Sequence, residues 1–196
     1  LIDGYLIGPT ADLTGADLSN LDLNGVDLSN AILTGVQSGG ITGTPSHLPA
    51  NWQLIDGYLI GPGANLFRAD LANTDLSGAD LSGAMLIGVR SGGITVTGTP
   101  PTLPTDWQLI DGYLIGPGAN LVDADLTHQD LTGASLRWVT GVRMHLDHAI
   151  LANTDLRWAN LTDATLTNVS GAAKYNSATM LPAGFDPVAA GWTLVS

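Results

Sequence analysis

The sequence predicts an all-β solenoid, built from short extended pieces joined by turns. Three observations carry the prediction. A leucine returns every fifth residue, as at Leu121, Leu126, Leu131, Leu136, Leu146, Leu151, Leu156, Leu161 and Leu166. Two residues before it sits something small, usually alanine: Ala119, Ala124, Ala134, Ala149, Ala159, Ala164. One residue before it sits Asp or Asn, as at Asn120, Asp125, Asp130, Asp155 and Asn160. A period of five fits neither the 3.6 of an amphipathic helix nor the 2 of a half-buried strand, so the chain is a repeat architecture.

The inward side explains why five residues suffice. The leucine and the residue two before it point in; the other three positions tolerate Asp, Asn, Thr, Ser or Gly. A turn of about a right angle per unit closes a loop after four units, and successive loops hydrogen-bond at the strand spacing of ~4.8 Å. One buried leucine per unit contributes ~1.5–3 kcal/mol before entropy is subtracted. No unit folds alone, because its apolar face is covered only by the units before and after it.

A longer period overlies this one. The phrase Leu-Ile-Asp-Gly-Tyr-Leu-Ile-Gly-Pro begins at Leu1, Leu54 and Leu109, and divides the chain into sub-units 1–53, 54–108 and 109–196 of a single solenoid. Before the second and third copies runs Ser-Gly-Gly-Ile-Thr, from Ser38 and from Ser91, then a proline-rich stretch to Trp52 and Trp107. The second stretch carries two extra residues, placed at Val96 and Thr97. Pro45, Pro49, Pro100, Pro101 and Pro104 cannot continue an inner ladder. These segments therefore read as side loops, each returning through a Trp-x-Leu strand. The final Trp192-Thr193-Leu194 resembles Trp52-Gln53-Leu54, so start and stop share a phase, as in a piece of a longer array.

The pattern Ala11-Asp12-Leu13, Ala16-Asp17-Leu18, Ala69-Asp70-Leu71, Ala79-Asp80-Leu81 and Ala124-Asp125-Leu126 resembles the pentapeptide-repeat family, with Thr74, Thr154, Leu21 and Gln129 as variants at the small position. The resemblance implies a right-handed quadrilateral parallel β-helix of about twenty residues per coil, and a bacterial origin.

Twenty-residue coils place residues twenty apart in columns. Asp123, Arg143 and Asp163 share one column, and His128, His148 and Asn168 another. Arg137 stands over Arg157 and Trp138 over Trp158, which makes these four residues the candidate interaction patch. Tryptophan and arginine are enriched at interaction hot spots; the competing reading is a self-satisfied cation–π and stacking ladder.

Other chemistry finds little support. His145, Asp147 and His148 lie close in sequence, but no third convergent ligand accompanies them, so no metal site is expected. Asp12, Asp17, Asp22 and Asp27 diverge around one coil; capping of turn amides is the expected task of such residues, rather than Ca²⁺ binding. No nucleophile elbow, phosphate loop or Cys/His pair is present, so neither catalysis nor a cofactor is expected.

Composition narrows the partners. All 18 acidic residues are aspartate, and six basic residues leave a net charge of -12, which argues against direct nucleic-acid binding. Cysteine is absent. No apolar run approaches the ~20 residues that span a bilayer, and the chain reads as soluble, whether cytoplasmic or exported. The expected role is a non-catalytic structural or protein-interaction rod whose partner is another protein, with end-to-end self-association if its terminal coils are bare. The family resemblance implies an alternative, a DNA-mimicking inhibitor of a type II topoisomerase such as gyrase. A second alternative is a glycan-binding surface solenoid.

Overall fold

The computed structural model describes residues 4–196. The opening Leu1–Asp3 of the first repeated phrase, and with it the start of sub-unit 1–53, lies outside the described residues.

The pentapeptide is a β-turn. In the first described units the carbonyl of Leu13 accepts the N–H of Ala16 at 2.9 Å, and Gly15 between them has φ 67°. This is the type II arrangement, which requires a positive φ two residues after the leucine. Glycine or asparagine fills that place in many units, as at Gly25, Asn20 and Asn30. The residue before the leucine fixes the turn from outside: Asp12 Oδ1 accepts the N–H of Thr14 at 3.0 Å, and Asp125 Oδ1 that of Thr127 at 3.1 Å. The aspartates are thus turn caps, as their type and position predicted.

Turns are joined into coils by parallel backbone bridges between residues twenty apart. Asp12, Asp17, Asp22 and Asp27 pair with Ile32, Gln37, Thr42 and His47; Asp125, Asp130 and Ser135 pair with His145, Ile150 and Asp155. Each bridge carries N–H···O bonds such as Leu126 to His145 at 2.9 Å. The leucines and the small residues two before them form the interior of this β-helix, and Leu126 is fully buried.

The chain forms two compact units. One comprises residues 4–86 with 95–105, the other 87–94 with 106–196. The first contains a core of Leu13, Leu18, Leu23, Leu28 and Leu33 with Ile41 and Leu59, against which Trp52 and Leu54 pack. The second is built round Leu121, Leu126, Leu131, Leu136, Leu146, Leu151, Leu156 and Leu161, with Trp107 packed against it.

The repeated phrase is a β-hairpin. Strand β1 (Gln53–Ile55) pairs antiparallel with β2 (Tyr58–Ile60), and β3 (Gln108–Ile110) with β4 (Tyr113–Ile115). The turns are Asp56-Gly57 and Asp111-Gly112, all four residues at positive φ, as a two-residue type I′ hairpin demands. Trp52 lies against Gly61 so closely that a Cβ there would overlap the indole, and Trp107 lies likewise on Gly116. The hairpin tyrosine then serves the coil that follows. Tyr58 Oη accepts the N–H of Asp70 at 3.1 Å, and Tyr113 Oη that of Asp125 at 3.3 Å. Tyr5 does the same for Asp17.

The side loops are smaller than the sequence implied. Ser38-Gly39-Gly40-Ile41-Thr42 does not leave the coil: Gln37, Thr42 and His47 are all bridged to the coil before, and Ile41 is buried. Ser38 takes the leucine's place, and its hydroxyl accepts the N–H of Leu59; Ser91 does so for Leu114, both at 2.9 Å. A serine oxygen here supplies the acceptor that the incoming strand lacks. The excursion begins only after His47. Gln37 is next bridged to Asn65, twenty-eight positions on, and Arg90 to Asn120, thirty on. The difference agrees with two extra residues in the second loop. Their placement at Val96 and Thr97 fits the register, since Asp75 pairs with Thr95 but Asp80 with Thr102.

After Gly171 the five-residue beat ends. Strand β5 (Lys174–Tyr175) pairs with β6 (Thr193–Leu194), parallel rather than as a hairpin. Trp192 is buried, packed at 4.8 Å on Phe185 and 6.3 Å on Tyr175. This layer covers the last leucines of the second core. Trp192-Thr193-Leu194 thus differs in pairing from Trp52-Gln53-Leu54, which it resembles in sequence: the latter enters an antiparallel hairpin.

Candidate functional site

The second unit carries the candidate patch, and its turns place it. Arg137-Trp138 and Arg157-Trp158 are the two central residues of turns closed by Leu136 and Val139 and by Leu156 and Ala159. Trp138 donates its N–H to the carbonyl of Arg157 at 3.1 Å, which sets the two turns one rung apart. The indoles stack with centroids 5.1 Å apart and planes 15° from parallel. Trp138 is half exposed at 51%, whereas Trp158 is more enclosed, so the pair presents one well-exposed indole rather than the two the sequence suggested.

Both tryptophans occupy the left-handed backbone region, at φ 57° and 60°. That region suits glycine or asparagine; a bulky side chain there is an outlier that costs on the order of 1 kcal/mol. Across the two rungs the indole stack and the arginines offset this cost. The Arg137 guanidinium carbon lies 4.3 Å from the Trp138 centroid and 5.1 Å from that of Trp158; Arg157 lies 5.4 Å from Trp158. Contacts of this kind are worth about 0.5–1 kcal/mol each where partly exposed.

The two arginines are not equivalent. Arg157 grips Asp155 through Nε to Oδ1 at 2.9 Å and Nη2 to Oδ2 at 2.6 Å. Arg137 approaches the same carboxylate only to 3.9 Å, beyond hydrogen-bond reach, and its buried Nε has no partner. Burial pushes the Asp155 carboxyl up, but the hydrogen bonds from Arg157 and the attraction of both guanidiniums outweigh it and hold the group below its ordinary value. The ladder neighbour of Asp155 on the next coil is Lys174, exposed. Two of the chain's six cations thus flank one carboxylate, and a third, Lys174, stands on the next rung. Sequence reasoning missed Lys174 because the ladder advances only nineteen residues there; counting twenty lands on Tyr175.

The remaining columns are formed as well. Arg143 makes two 2.6 Å bonds to Asp123, while Asp163 contributes only an electrostatic pull. His128 and His148 stack at 4.7 Å. Asp147 accepts the Thr165 hydroxyl at 2.5 Å and the Thr167 N–H at 2.7 Å, with His145 Nδ1 3.4 Å from the same hydroxyl. These bonds consume the carboxylate in fixing a turn of the next coil. Among the described residues no three potential ligands converge on a metal position, and no helix is long and apolar enough to cross a membrane.

A solenoid of Leu-centred five-residue turns with asparagine and aspartate caps defines a class of repeat protein, and the comparisons agree. The family model for pentapeptide repeats matches residues 11–37, 64–90, 118–140 and 144–170 in eight copies, just over half of the chain. The chain belongs to the pentapeptide-repeat family. No curated protein matches it. Among solved structures it is similar to a pentapeptide repeat protein from Nostoc PCC 7120, with 28% identity over 39% of this chain and 81% of the other, at TM-score 0.26. A trypsin-treated QnrB1, a plasmid-mediated fluoroquinolone resistance protein, aligns at 16% identity over 96% of this chain and 88% of its own, at TM-score 0.37. HetL, involved in heterocyst differentiation regulation in Nostoc PCC 7120, aligns at 22% identity over 85% and 76%, at TM-score 0.19.

Proposed function

We propose that the chain is a non-catalytic protein-interaction module, a right-handed quadrilateral β-helix that docks a partner protein at Arg137, Trp138, Arg157 and Trp158. The four bridges per twenty residues support the four-sided form. One observation carries the docking site: tryptophan stands twice, one rung apart, at a turn position that glycine fills more cheaply. Folding needs no indole there, because Gly118 serves the same position one coil earlier, its N–H bonded to the carbonyl of Arg137. Exposed aromatic and arginine side chains held rigidly are what protein recognition uses.

A peptide-display selection against the intact chain tests this. Peptides enriched on the wild type should lose binding when Trp138→Ala and Trp158→Ala are combined. Enriched peptides indifferent to that double substitution would place recognition elsewhere and end the reading.

The charge of -12 favours a second reading, inhibition of a type II topoisomerase by imitation of duplex DNA. The turn-capping duty of the aspartates gives another reason for the same charge. A gyrase supercoiling assay separates the two: loss of supercoiling at stoichiometric protein supports mimicry, and unchanged supercoiling over a wide excess retires it. Glycan binding has less support, because stacking turns one face of each indole onto the other and leaves Trp138 as the one well-exposed ring.

A further inference from the structure

We infer that the patch is built for an extended acidic peptide bearing an aromatic residue, whose carboxylates engage Arg137 and Lys174 and whose ring extends the Trp138–Trp158 stack. The inference rests on the docking reading above and assigns its ligand chemistry.

Charge comes first. The protein as a whole is strongly acidic, yet Arg137 and Arg157 flank Asp155, and Lys174 stands exposed on the rung next to it. Asp155 is consumed by the Arg157 fork and by the N–H of Arg157, whose turn it caps at 3.2 Å. Arg137 therefore keeps a guanidinium oriented by two indoles and attracted to that carboxylate without a hydrogen bond to it. A planar fork held in this way is suited to a carboxylate. Arg157 is the positioning residue: it holds Asp155 and, through the cation–π contact, the lower indole.

The aromatic subsite follows from what stands beside Trp138. Its inner face meets Trp158. On the other side the rung belongs to Gly118, which has no side chain. Arg137 does not cover that outer face, since a guanidinium there would stand far beyond the observed 5.1 Å from Trp158. Ile87, half exposed, leans over Gly118, with its Cγ2 3.1 Å from where a Cβ would stand. The result is an apolar ledge walled by Ile87 and the Trp138 ring, one rung deep, on which a planar group can lie.

Spacing sets the length of the ligand. From the Gly118 rung to the Lys174 rung is three steps, ~14 Å at the inter-strand distance, which about four extended residues span. A short acidic segment is favoured over nucleic acid because the protein's surrounding charge repels a long polyanion, while a compact one meets only the local excess of cations.

The probe is the blocked peptide acetyl-Phe-Glu-Gly-Gly-Glu-amide, titrated into the ¹⁵N-labelled full chain while the indole N–H resonances are followed. Saturable binding should shift the Trp138 signal. Affinity should fall on the order of tenfold in Arg137→Gln, by a few-fold in Lys174→Gln, and not at all in Arg143→Gln, whose cation lies outside the patch. Lys174 is exposed, so its variant reports even if Arg137→Gln perturbs the fold. No saturable shift at millimolar peptide would overturn the inference, as would unchanged affinity in both variants. A Gln-for-Glu peptide that binds equally well and still needs Trp138 would overturn it while leaving the docking reading standing. Tighter, Arg137-dependent binding of pyrophosphate would overturn it in favour of a phosphate ligand.

Discussion

Ser38 and Thr154 are buried hydroxyls doing opposite work. Ser38 Oγ accepts the N–H of Leu59, and Thr154 Oγ1 donates to the carbonyl of Leu131 at 2.7 Å. Ser38→Ala leaves a buried donor unpaired and should cost about 1–3 kcal/mol; Thr154→Val leaves a carbonyl short of one partner and should cost about 1 kcal/mol. Urea unfolding of the two variants gives the order, and equal or reversed losses would contradict it. Gly133→Ala isolates the turn itself. Its φ is +71° with open space around the new Cβ, so the expected loss of about 1 kcal/mol is backbone strain alone. At this scale the sequence was legible where residues stand twenty apart: the Trp138–Trp158 and His128–His148 stacks and the Arg143–Asp123 pair follow from counting. It was illegible where the ladder slips, as at Lys174, and where a pair forms within one turn, as Arg157 does with Asp155.

The hairpins show what element-level reading missed and why. Asp-Gly between two short apolar runs is a strong hairpin signal, but inside a phrase that recurs three times it is masked by the longer period. Ser-Gly-Gly-Ile-Thr misled in the other direction: serine at the leucine's place breaks the pattern, although Ile41 and Ile94 keep the beat and stay buried. The seat of Trp52 on Gly61 makes the hairpin testable. A Cβ at position 61 would stand 2.2 Å from the indole, and at least that side chain must move. Gly61→Ala is therefore expected to cost about 1–3 kcal/mol and to shift tryptophan emission to the red. Gly83→Ala, where the new Cβ meets nothing within 4 Å, should leave emission unchanged. A stable Gly61→Ala with native emission would mean that the seat is not occupied as described.

For the molecule as a whole, the capping carboxylates set the response to acid. Hydrogen bonds from Thr14, Ser19, Ser29, Ser77, Ser82, Thr127 and Thr132 hold Asp12, Asp17, Asp27, Asp75, Asp80, Asp125 and Asp130 below the ordinary value of 3.8. A carboxyl depressed in the folded state stabilises that state above its unfolded pKa, and the benefit disappears as pH falls through the folded pKa. Stability should be level from neutrality to about pH 5 and fall below about pH 4, as thermal melts at graded pH would record. Protonation also relieves the repulsion of a -12 charge; stability that rises below pH 4 would mean that repulsion outweighs the caps. Everything in this account depends on residues twenty apart being neighbours. A chain without cysteine allows that to be measured directly. His128→Cys with His148→Cys places two thiols on adjacent rungs, within the ~4.4–6.8 Å Cα separation that a disulfide requires; His128→Cys with Asn153→Cys places them one turn out of column. The first pair should close an intramolecular disulfide under mild oxidation and the second should not. Equal yields from both, or closure of the second alone, would contradict the twenty-residue coil.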